Sequence, residues 1–251
     1  MGNGPSTVTS VDRSCEFRLI GSGFPAEVVY SARMETRLDG STIARSVEAI
    51  QLASSLEAIS WAWTTFGERC CVLSSMQEIV VIELAMRVHR DLPVVFLDNG
   101  YHFDETFDTV RCVERRYGIE VQVVGPLEPV RDDIAPGGCC DLKPALRDAA
   151  LADRHAWISG VRRSQTDHRS AMDLVTLDAE GRAKVNPIVQ WNDADVARFA
   201  RSADVIRNPL LDLGYTSIGC RTCTSVPTDA DDARSGRWAG DERTECGLHC
   251  G

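Results

Sequence analysis

The clearest structural signal in the chain is the segment Cys70-Cys71-Val72-Leu73-Ser74-Ser75-Met76-Gln77-Glu78. Its first four residues form an apolar run typical of a short buried strand, and residues 77–89 have the apolar spacing of a helix. A strand that passes through a polar loop into a helix begins a βαβ unit. Such a loop directs backbone N–H groups and the positive end of a helix dipole at a phosphate. It lacks the glycines and lysine of a Walker loop, so an ordinary serine-capped turn stays an alternative.

Strand-like and helix-like segments alternate on both sides of this stretch. Further strands are predicted at 93–97 and 119–124, with a strand end at 157–160, and further helices at 41–66, 105–117, 145–152 and 192–203. Ser41 and Thr42 are the expected caps of the first helix. Short strands separated by helices of this length predict an α/β fold with a mainly parallel sheet, whose binding loops lie at the carboxyl ends of the strands.

Composition divides the chain into three regions and excludes several classes of protein. We predict an irregular N-terminal arm over 1–40, an α/β nucleotide-binding domain over 41–205 and an irregular C-terminal segment over 206–251. The 27 basic and 37 acidic side chains leave a formal charge of −10, which argues against a non-specific nucleic-acid binder. The absence of a signal-peptide core and of an apolar run near the ~20 residues that span a bilayer predicts a cytoplasmic protein with no membrane partner.

Polar and basic loops follow the predicted strands. Asp98 and Gly100 come directly after the second strand, and Arg162 and Arg163 follow a later one, with Arg169 close behind. Guanidinium groups just past a strand end suit bidentate capture of sulfate or phosphate, although a solvated basic loop is the plainer alternative. Arg234 and Arg237 add positive charge near the end of an acidic chain. These loops converge on one edge of the predicted sheet, so the sequence predicts an anion site there.

Four cysteines in two distant parts of the chain have the pattern of a metal site. They are the adjacent pair Cys139-Cys140 and the Cys-x-x-Cys pair Cys220 and Cys223. Four thiolates suit an iron–sulfur cluster or a structural zinc ion. Neighbouring thiolates reach a single tetrahedral ion awkwardly but can occupy different corners of a cluster, so iron–sulfur is favoured over zinc. Four buried thiols without a metal are the remaining alternative.

Cys246 lies near the C-terminus, followed by His249. A thiol nucleophile needs exposure and positively charged surroundings that hold it as a thiolate. A terminal segment supplies the exposure, and His249 with nearby arginines supplies the charge. Cys246 and His249 are therefore candidate catalytic residues, although a terminal cysteine taken alone is more often incidental.

The chain resembles the sulfonucleotide reductases, and specifically the iron–sulfur adenylylsulfate (APS) reductases. The resemblance runs from about Ser41 to the end. It is carried by Leu97-Asp98-Asn99-Gly100-Tyr101-His102-Phe103-Asp104-Glu105-Thr106, Cys139-Cys140, Gly160-Val161-Arg162-Arg163, Lys184-Val185-Asn186-Pro187, Asn208-Pro209-Leu210, Gly214-Tyr215-Thr216-Ser217-Ile218-Gly219-Cys220-Arg221-Thr222-Cys223, Ser235-Gly236-Arg237-Trp238 and Glu245-Cys246-Gly247-Leu248-His249.

The resemblance implies a Rossmann-like fold related to the adenine nucleotide α-hydrolases, in assimilatory sulfate reduction. A thiolate at Cys246 would attack the sulfate sulfur of APS, expel AMP and form a Cys S-sulfonate, from which thioredoxin or a similar dithiol would release sulfite. A 4Fe–4S cluster on the four cysteines would order and polarise the site. The implied substrate-binding residues are Ser74, Ser75, Met76, Gln77, Asp98, Gly100, Lys143, Arg162, Arg163, Arg169, Arg234 and Arg237.

The sequence departs from the family pattern in places. Asn99 replaces a usual threonine, the segment after Cys140 is one residue shorter and lacks an arginine before Lys143, and Cys250 is an additional thiol. Three alternatives therefore stay open: a 3′-phosphoadenylylsulfate (PAPS) reductase, a nucleotide-binding or adenylating protein with a structural metal, and a paralogue that uses the same sulfur chemistry in another pathway.

Overall fold

A six-stranded sheet forms the centre of the protein in a computed structural model, in the order β3-β2-β1-β4-β6-β5. The strands are β1 (Cys70–Ser74), β2 (Val94–Leu97), β3 (Val121–Val124), β4 (Ala156–Ile158), β5 (Val175–Leu177) and β6 (Ala183–Val185). Every neighbouring pair is parallel except β5 and β6, which are antiparallel. The predicted α/β class with a mainly parallel sheet is confirmed.

The structure describes residues 47, 50, 51, 53–127, 130–135, 137–229, 232–238 and 243–248. They all belong to one structural unit that spans Leu38–Gly251. The predicted arm over 1–40, the predicted caps Ser41 and Thr42, and the tail residues His249 and Cys250 lie outside the described residues.

The central strands are buried on both faces, as expected for parallel strands between helices. All residues of β2 are buried, and in β1 only Ser74, at the carboxyl end, is partly exposed. Cys70 and Cys71 are fully buried and serve as small apolar residues. This apolar run is what made β1 visible in the sequence.

The helices pack against the sheet and fix the loops between strands. They are α1 (Ser55–Phe66), α2 (Val80–Val88), α3 (Asp104–Tyr117), α4 (Gly138–Asp141), α5 (Lys143–Ala150) and α6 (Asp193–Ser202). Asn192 caps α6 with its side chain, as the sequence predicted.

The first predicted helix, over 41–66, is interrupted: residues 47 and 50 are helical, but the helical run is broken before Ser55. Helix α1 begins at Ser55, because Ser54 forms a capping box with Glu57: its side chain accepts from the Glu57 backbone, and the Glu57 carboxylate accepts from the Ser54 N–H. Residues 53 and 54 are not helical. The sequence signal was present as Ser-x-x-Glu, inside a run whose apolar spacing continued through it.

Strands β5 and β6 were not predicted. Both have only three residues, and β6 contains Lys184, which reads as a loop residue. In the structure Lys184 is buried, and its ammonium nitrogen lies 5.0 Å from the ring centroid of Trp157 on neighbouring β4. A cation–π contact therefore keeps this charge inside the sheet layer.

The described part of the C-terminal segment is irregular, as predicted. After α6 it contains two single-turn 3₁₀ helices, Pro209–Leu211 and Arg221–Cys223, and two isolated bridges, Glu78 to Arg207 and Thr224 to Arg237. In the residues that the structure describes, no helix combines the length and the apolar character needed to cross a bilayer.

Candidate active site

A cleft opens at the carboxyl ends of β1 and β4. The chain leaves β1 toward β2 and β3 on one side and returns to β4 on the other, so these two strands flank the point where the strand order reverses. Open α/β sheets bind ligands at such a point. Nine residues predicted for the site line the cleft: Ser74, Ser75, Gln77, Lys143, Arg162, Arg169, Arg234, Arg237 and Cys246.

The loop after β1 forms the floor of the cleft. Ser74 accepts a hydrogen bond from the backbone of Met76, at 3.2 Å, and the chain then enters α2 without a side-chain cap. The first-turn N–H groups of α2 are thus available to an anion. Gln77 ties this loop to the C-terminal segment, because its side-chain oxygen accepts from the Ile218 N–H at 2.8 Å.

Arg162 and Arg169 enter the cleft from the loop after β4. Arg162 is bound by Asp193 at the start of α6, at 2.6 Å, and by the side chain of Ser164. Gln165 organises this loop, since its oxygen accepts from the Arg162 backbone at 3.0 Å and from Arg169 Nη1 at 2.6 Å. The two guanidinium groups are therefore held in place before any ligand binds.

The cleft carries an excess of positive charge. Burial, together with the charges of Arg237 and Arg169, lowers the pKa of Arg234 to about 10. Among the described residues, Arg237 Nε is a buried nitrogen with no hydrogen-bond partner, and Lys143 makes no hydrogen bond or salt bridge although it is only 9% exposed. Cations that repel one another and leave donors unused fit an anionic ligand.

Cys246 lies within this positive environment. Burial acts to raise the pKa of its thiol, but the charge of Lys143, the N–H of Leu248 and the charges of Arg237 and Arg169 outweigh it. The net result is a pKa below that of an ordinary cysteine. A partly exposed thiol that ionises readily is the chemical requirement for a sulfur nucleophile.

The segment that carries Cys246 is fixed on both sides. Arg147 donates to the Leu248 carbonyl at 3.3 Å, and Arg234 donates to the Thr244 carbonyl at 3.2 Å. Gly247 has a φ of +75°, which favours glycine and lets the chain turn directly after the thiol. His249, the second predicted catalytic residue, is outside the described residues.

The four predicted ligand cysteines come together beside the cleft. Cys139, Cys140, Cys220 and Cys223 form one buried cluster with Tyr101 and Trp238, against which Cys246 packs. The sulfurs of Cys139, Cys140 and Cys223 lie within 4.8 Å of one another and could hold a metal. Cys220 joins this sulfur cluster through an interaction with Cys139.

The surroundings of these sulfurs fit a metal group. Trp238 Nε1 donates to Cys140 at 3.2 Å, and Asn99 Nδ2 donates to Cys220 at 3.0 Å. Hydrogen bonds to ligand sulfurs are a regular feature of thiolate metal sites. Hydrogen bonds from Cys140 raise the pKa of Cys139, and those from Cys139 lower the pKa of Cys223.

Four predicted binding residues are not brought to the cleft. The side chain of Met76 is fully buried, and Arg163 turns away to the Met172 carbonyl and to Asp173. Asp98 uses its carboxylate to close its own turn, accepting from the Gly100 N–H at 2.7 Å. Gly100 has a φ of +80° and sits under Val130, so these two residues shape the loop after β2.

Several side chains that line the cleft were not predicted from the sequence, among them His102, Gln165 and Glu78. Burial, aided by the charge of Lys143, lowers the pKa of His102 to about 3, so that the ring is neutral. Burial raises the pKa of Glu78, although Arg162 and Arg207 oppose the shift. Glu78 directly follows the predicted binding residue Gln77, and His102 lies two residues after Gly100.

The sheet and its cleft define the class: this is an α/β protein with a Rossmann-like fold. The crystal structure of phosphoadenylyl-sulfate (PAPS) reductase from Candida auris, a phosphate complex, matches with a TM-score of 0.60 and 23% identity, over 76% of this chain and 99% of that one. FMN adenylyltransferase from Candida glabrata matches with a TM-score of 0.53 and 12% identity, over 76% and 73% of the two chains.

The family follows from the sequence comparisons. Residues 69–226 match the model of the phosphoadenosine phosphosulfate reductase domain, and the chain belongs to that family. The adenosine 5′-phosphosulfate reductase of Streptomyces coelicolor is 39% identical over 217 residues, which cover 82% of this chain and 92% of that protein. The sequence-based assignment to the sulfonucleotide reductases is confirmed.

Proposed function

We propose that this protein is an APS reductase of assimilatory sulfate reduction, which converts APS to sulfite and AMP in the cytoplasm. The observation that carries the proposal is the position of Cys246, a thiol with a lowered pKa in the same cleft as the loop after β1 and a group of buried cations. Relatives named adenosine 5′-phosphosulfate reductase, which align over most of the chain, support this choice of substrate. We assign the nucleotide to the α/β domain over 41–205 and the thiol to the segment over 206–251.

The first step is a displacement at sulfur. The Cys246 thiolate attacks the sulfate sulfur of APS, an S–S bond forms, and the bond between that sulfur and the bridging phosphate oxygen breaks. AMP leaves with the electron pair, and Cys246 becomes an S-sulfonate. Sulfate is a poor electrophile because its oxygens are anionic, so the step needs cations close to those oxygens.

Lys143, Arg162, Arg234 and Arg237 supply that positive charge. The unused donors of Lys143 and Arg237 fit sulfate or phosphate oxygens, whereas Arg162 is already oriented by Asp193. The loop formed by Ser74, Ser75 and Gln77, with the N-terminus of α2, offers backbone N–H groups to the phosphate of AMP. We assign to His249 a share in the charge around the thiolate.

The second step regenerates the thiol. A dithiol such as thioredoxin attacks Cys246 Sγ, forms a mixed disulfide and releases sulfite with the electron pair of the S–S bond. Its second thiol then attacks the mixed disulfide. The dithiol leaves oxidised to a disulfide, and Cys246 returns as a thiolate, so the two electrons that reduce sulfate come from the dithiol.

We assign Cys139, Cys140, Cys220 and Cys223 as the ligands of a 4Fe–4S cluster. When bound, the cluster would polarise the site next to Lys143 without carrying electrons. Buried thiolates that receive N–H···S hydrogen bonds from Trp238 and Asn99 support this assignment. Cys139 and Cys140 are neighbours in sequence, which fits different corners of a cluster better than one zinc ion.

The experiment that tests the proposal is intact-protein mass spectrometry of the anaerobically purified full chain after incubation with APS. We expect one sulfonate on Cys246, stoichiometric AMP, and sulfite release only after reduced thioredoxin is added. Cys246→Ser should form no adduct, whereas Cys71→Ala, which alters a buried thiol that does not line the cleft, should behave as the parent protein. Sulfite production by Cys246→Ser would overturn the proposal.

The same assay separates the alternatives. A clear preference for PAPS would make the protein a PAPS reductase with the same thiol chemistry. A nucleotide-binding or adenylating protein would bind AMP without ever forming a sulfonate. Adduct formation with neither nucleotide, but with another sulfur donor, would indicate a paralogue of a different pathway.

A further inference from the structure

Glu245, the residue directly before Cys246, makes a buried ion pair with Arg169. Arg169 Nε donates to Glu245 Oε1 at 2.8 Å, and Arg169 Nη2 donates to Oε2 at 2.5 Å. The side chains of Arg169 and Glu245 are only 8% and 7% exposed. The hydroxyl of Thr166 also donates to Oε1, at 2.8 Å.

This contact has the geometry of a specific and strong interaction. Two parallel N–H···O bonds between a guanidinium and a carboxylate fix direction as well as distance. Hydrogen bonds from Arg169 and Thr166 lower the pKa of Glu245, against burial, so the carboxylate is charged. Arg169 is itself held by Gln165, at 2.6 Å, so the pair has little freedom to rearrange.

The pair differs in kind from the other contacts of residues 243–248, the described part of the tail. Arg147 and Arg234 bind backbone carbonyls of the tail, and Arg243 binds Asp141 at a partly exposed position. Among the described residues of the tail, Glu245 is the acidic side chain that is buried and fully paired. It is thus a side-chain anchor directly beside Cys246, in addition to the two backbone contacts made by Arg147 and Arg234.

Glu245 occupies the Nε and Nη2 edge of Arg169, a residue that lines the cleft. Its Nε and Nη2 are bound to the carboxylate, and its Nη1 is bound to Gln165. A guanidinium used in this way is poorly placed to take a sulfonucleotide oxygen as well. This contrasts with Arg237, whose Nε has no partner among the described residues.

We propose that Glu245, Arg169 and Thr166 form a latch that positions Cys246 over the cleft, and that Arg169 acts through Glu245 rather than as a ligand of the substrate. The inference about the reaction rests on the proposed function, whereas the latch as a contact does not. Arg169 and Glu245 are thus positioning residues, and the sequence-based assignment of Arg169 to substrate binding is replaced.

The test compares Arg169→Gln, Glu245→Gln and the double variant with Arg163→Gln as the matched control. Arg163 lies in the same loop and pairs with Asp173, away from the cleft. We expect each single variant to slow single-turnover S-sulfonation of Cys246 about 100-fold, because each leaves one buried charge unpaired. The double variant should be no slower than the singles, and Arg163→Gln should be unchanged.

Binding of APS separates positioning from substrate contact. We measure its Kd in the Cys246→Ser background, where no sulfonate forms, and expect the same value with Arg169→Gln, Glu245→Gln and neither. A Kd weakened about tenfold by Arg169→Gln but not by Glu245→Gln would overturn the proposal, because Arg169 would then bind the substrate directly.

A third measurement does not depend on the activity. Without substrate, iodoacetamide should alkylate Cys246 several-fold faster in Glu245→Gln and Thr166→Val than in the parent protein, because the tail leaves the cleft more often. An unchanged rate of Cys246 alkylation in both variants would contradict the latch proposal, even if the protein reduces APS. Glu245→Gln and Thr166→Val also carry the test if Arg169→Gln fails to fold.

Discussion

The guanidinium carbon of Arg237 lies 4.3 Å from the ring centroid of Trp238, its neighbour in the chain. Trp238 donates its indole N–H to Cys140 in the sulfur cluster, and Arg237 lines the cleft. Two consecutive residues therefore connect the cysteine cluster with the cations of the candidate active site. We therefore expect a substitution in the cysteine cluster to shift Arg237, and a substitution of Arg237 to disturb the cluster.

Gly219→Ala tests the position of Arg237. A Cβ at residue 219 would lie 2.4 Å from Arg237 Nη2 and 2.7 Å from Cζ, so the flexible guanidinium has to move. We expect the Kd for APS to weaken about tenfold, the loss of roughly one hydrogen bond to a charged group, with little change in Tm.

Gly160→Ala is the matched control, because it also lines the cleft and its Cβ would make an ordinary contact of 3.6 Å with Val81. Equal Kd values for the two variants and the parent protein would show that Arg237 does not bind the substrate.

Removal of a ligand cysteine tests the metal site. Cys139→Ala and Cys220→Ala should lose iron and the brown colour of the anaerobically purified protein, because each deletes one thiolate from the set. Cys71→Ala, a buried thiol in the core of the sheet, should keep both. Metal analysis with zinc in place of iron would favour the structural-zinc alternative, and unchanged iron in Cys139→Ala would mean that the ligand set is wrong.

Lys143→Met tests the buried charge at the start of α5. The substitution keeps the length of the side chain but removes a cation that stands close to Cys246 and Cys220. We expect single-turnover S-sulfonation to slow about 100-fold, as for loss of one donor to a developing anion. Lys143→Arg keeps the charge and should recover part of the rate; equal rates in Lys143→Met and the parent protein would remove Lys143 from the mechanism.

His102 predicts a loss of stability in mild acid. Its pKa is about 3 in the folded protein, below the ordinary 6.5, so the unfolded chain takes up a proton first as the pH falls. Above about pH 6.5 the ring is neutral in both states, and His102 does not reduce the free energy of unfolding. Between pH 6.5 and pH 5 protonation of the unfolded chain should lower that free energy by about 2 kcal/mol.

The measurement is urea unfolding of the metal-loaded protein across this range. His102→Leu should flatten the dependence by that amount, whereas the exposed His168, changed to Gln, should not. A slope that is the same in His102→Leu and in the parent protein contradicts the prediction.

The fold was largely predictable because its central strands are apolar runs between polar loops. β1 and β2 are buried on both faces, and this leaves a signal that needs no partner to be recognised. β6 was not predicted because Lys184 is typical of an exposed loop. In the structure this side chain lies over the ring of Trp157 on the adjacent strand β4. The break before α1 was missed because apolar spacing was given more weight than the capping pair Ser54 and Glu57.

The candidate site was predictable in its residue types and less so in its pairings. The spacing of the four clustered cysteines predicted a metal site, and the position of the arginines after strand ends predicted an anion site. The partner of each arginine depends on contacts between distant parts of the chain. Arg163 pairs with Asp173, and Arg169 pairs with Glu245. The local sequence around these two arginines does not distinguish them from an arginine that contacts a ligand.

The sulfur cluster draws on two parts of the chain that are far apart, one before β4 and one after α6. During biosynthesis the first pair of thiols leaves the ribosome long before the second. Any metal or cofactor that needs both pairs can be inserted only after the ribosome has made the whole stretch from Cys139 to Cys223, so maturation of this site cannot begin while the α/β sheet is still being synthesised.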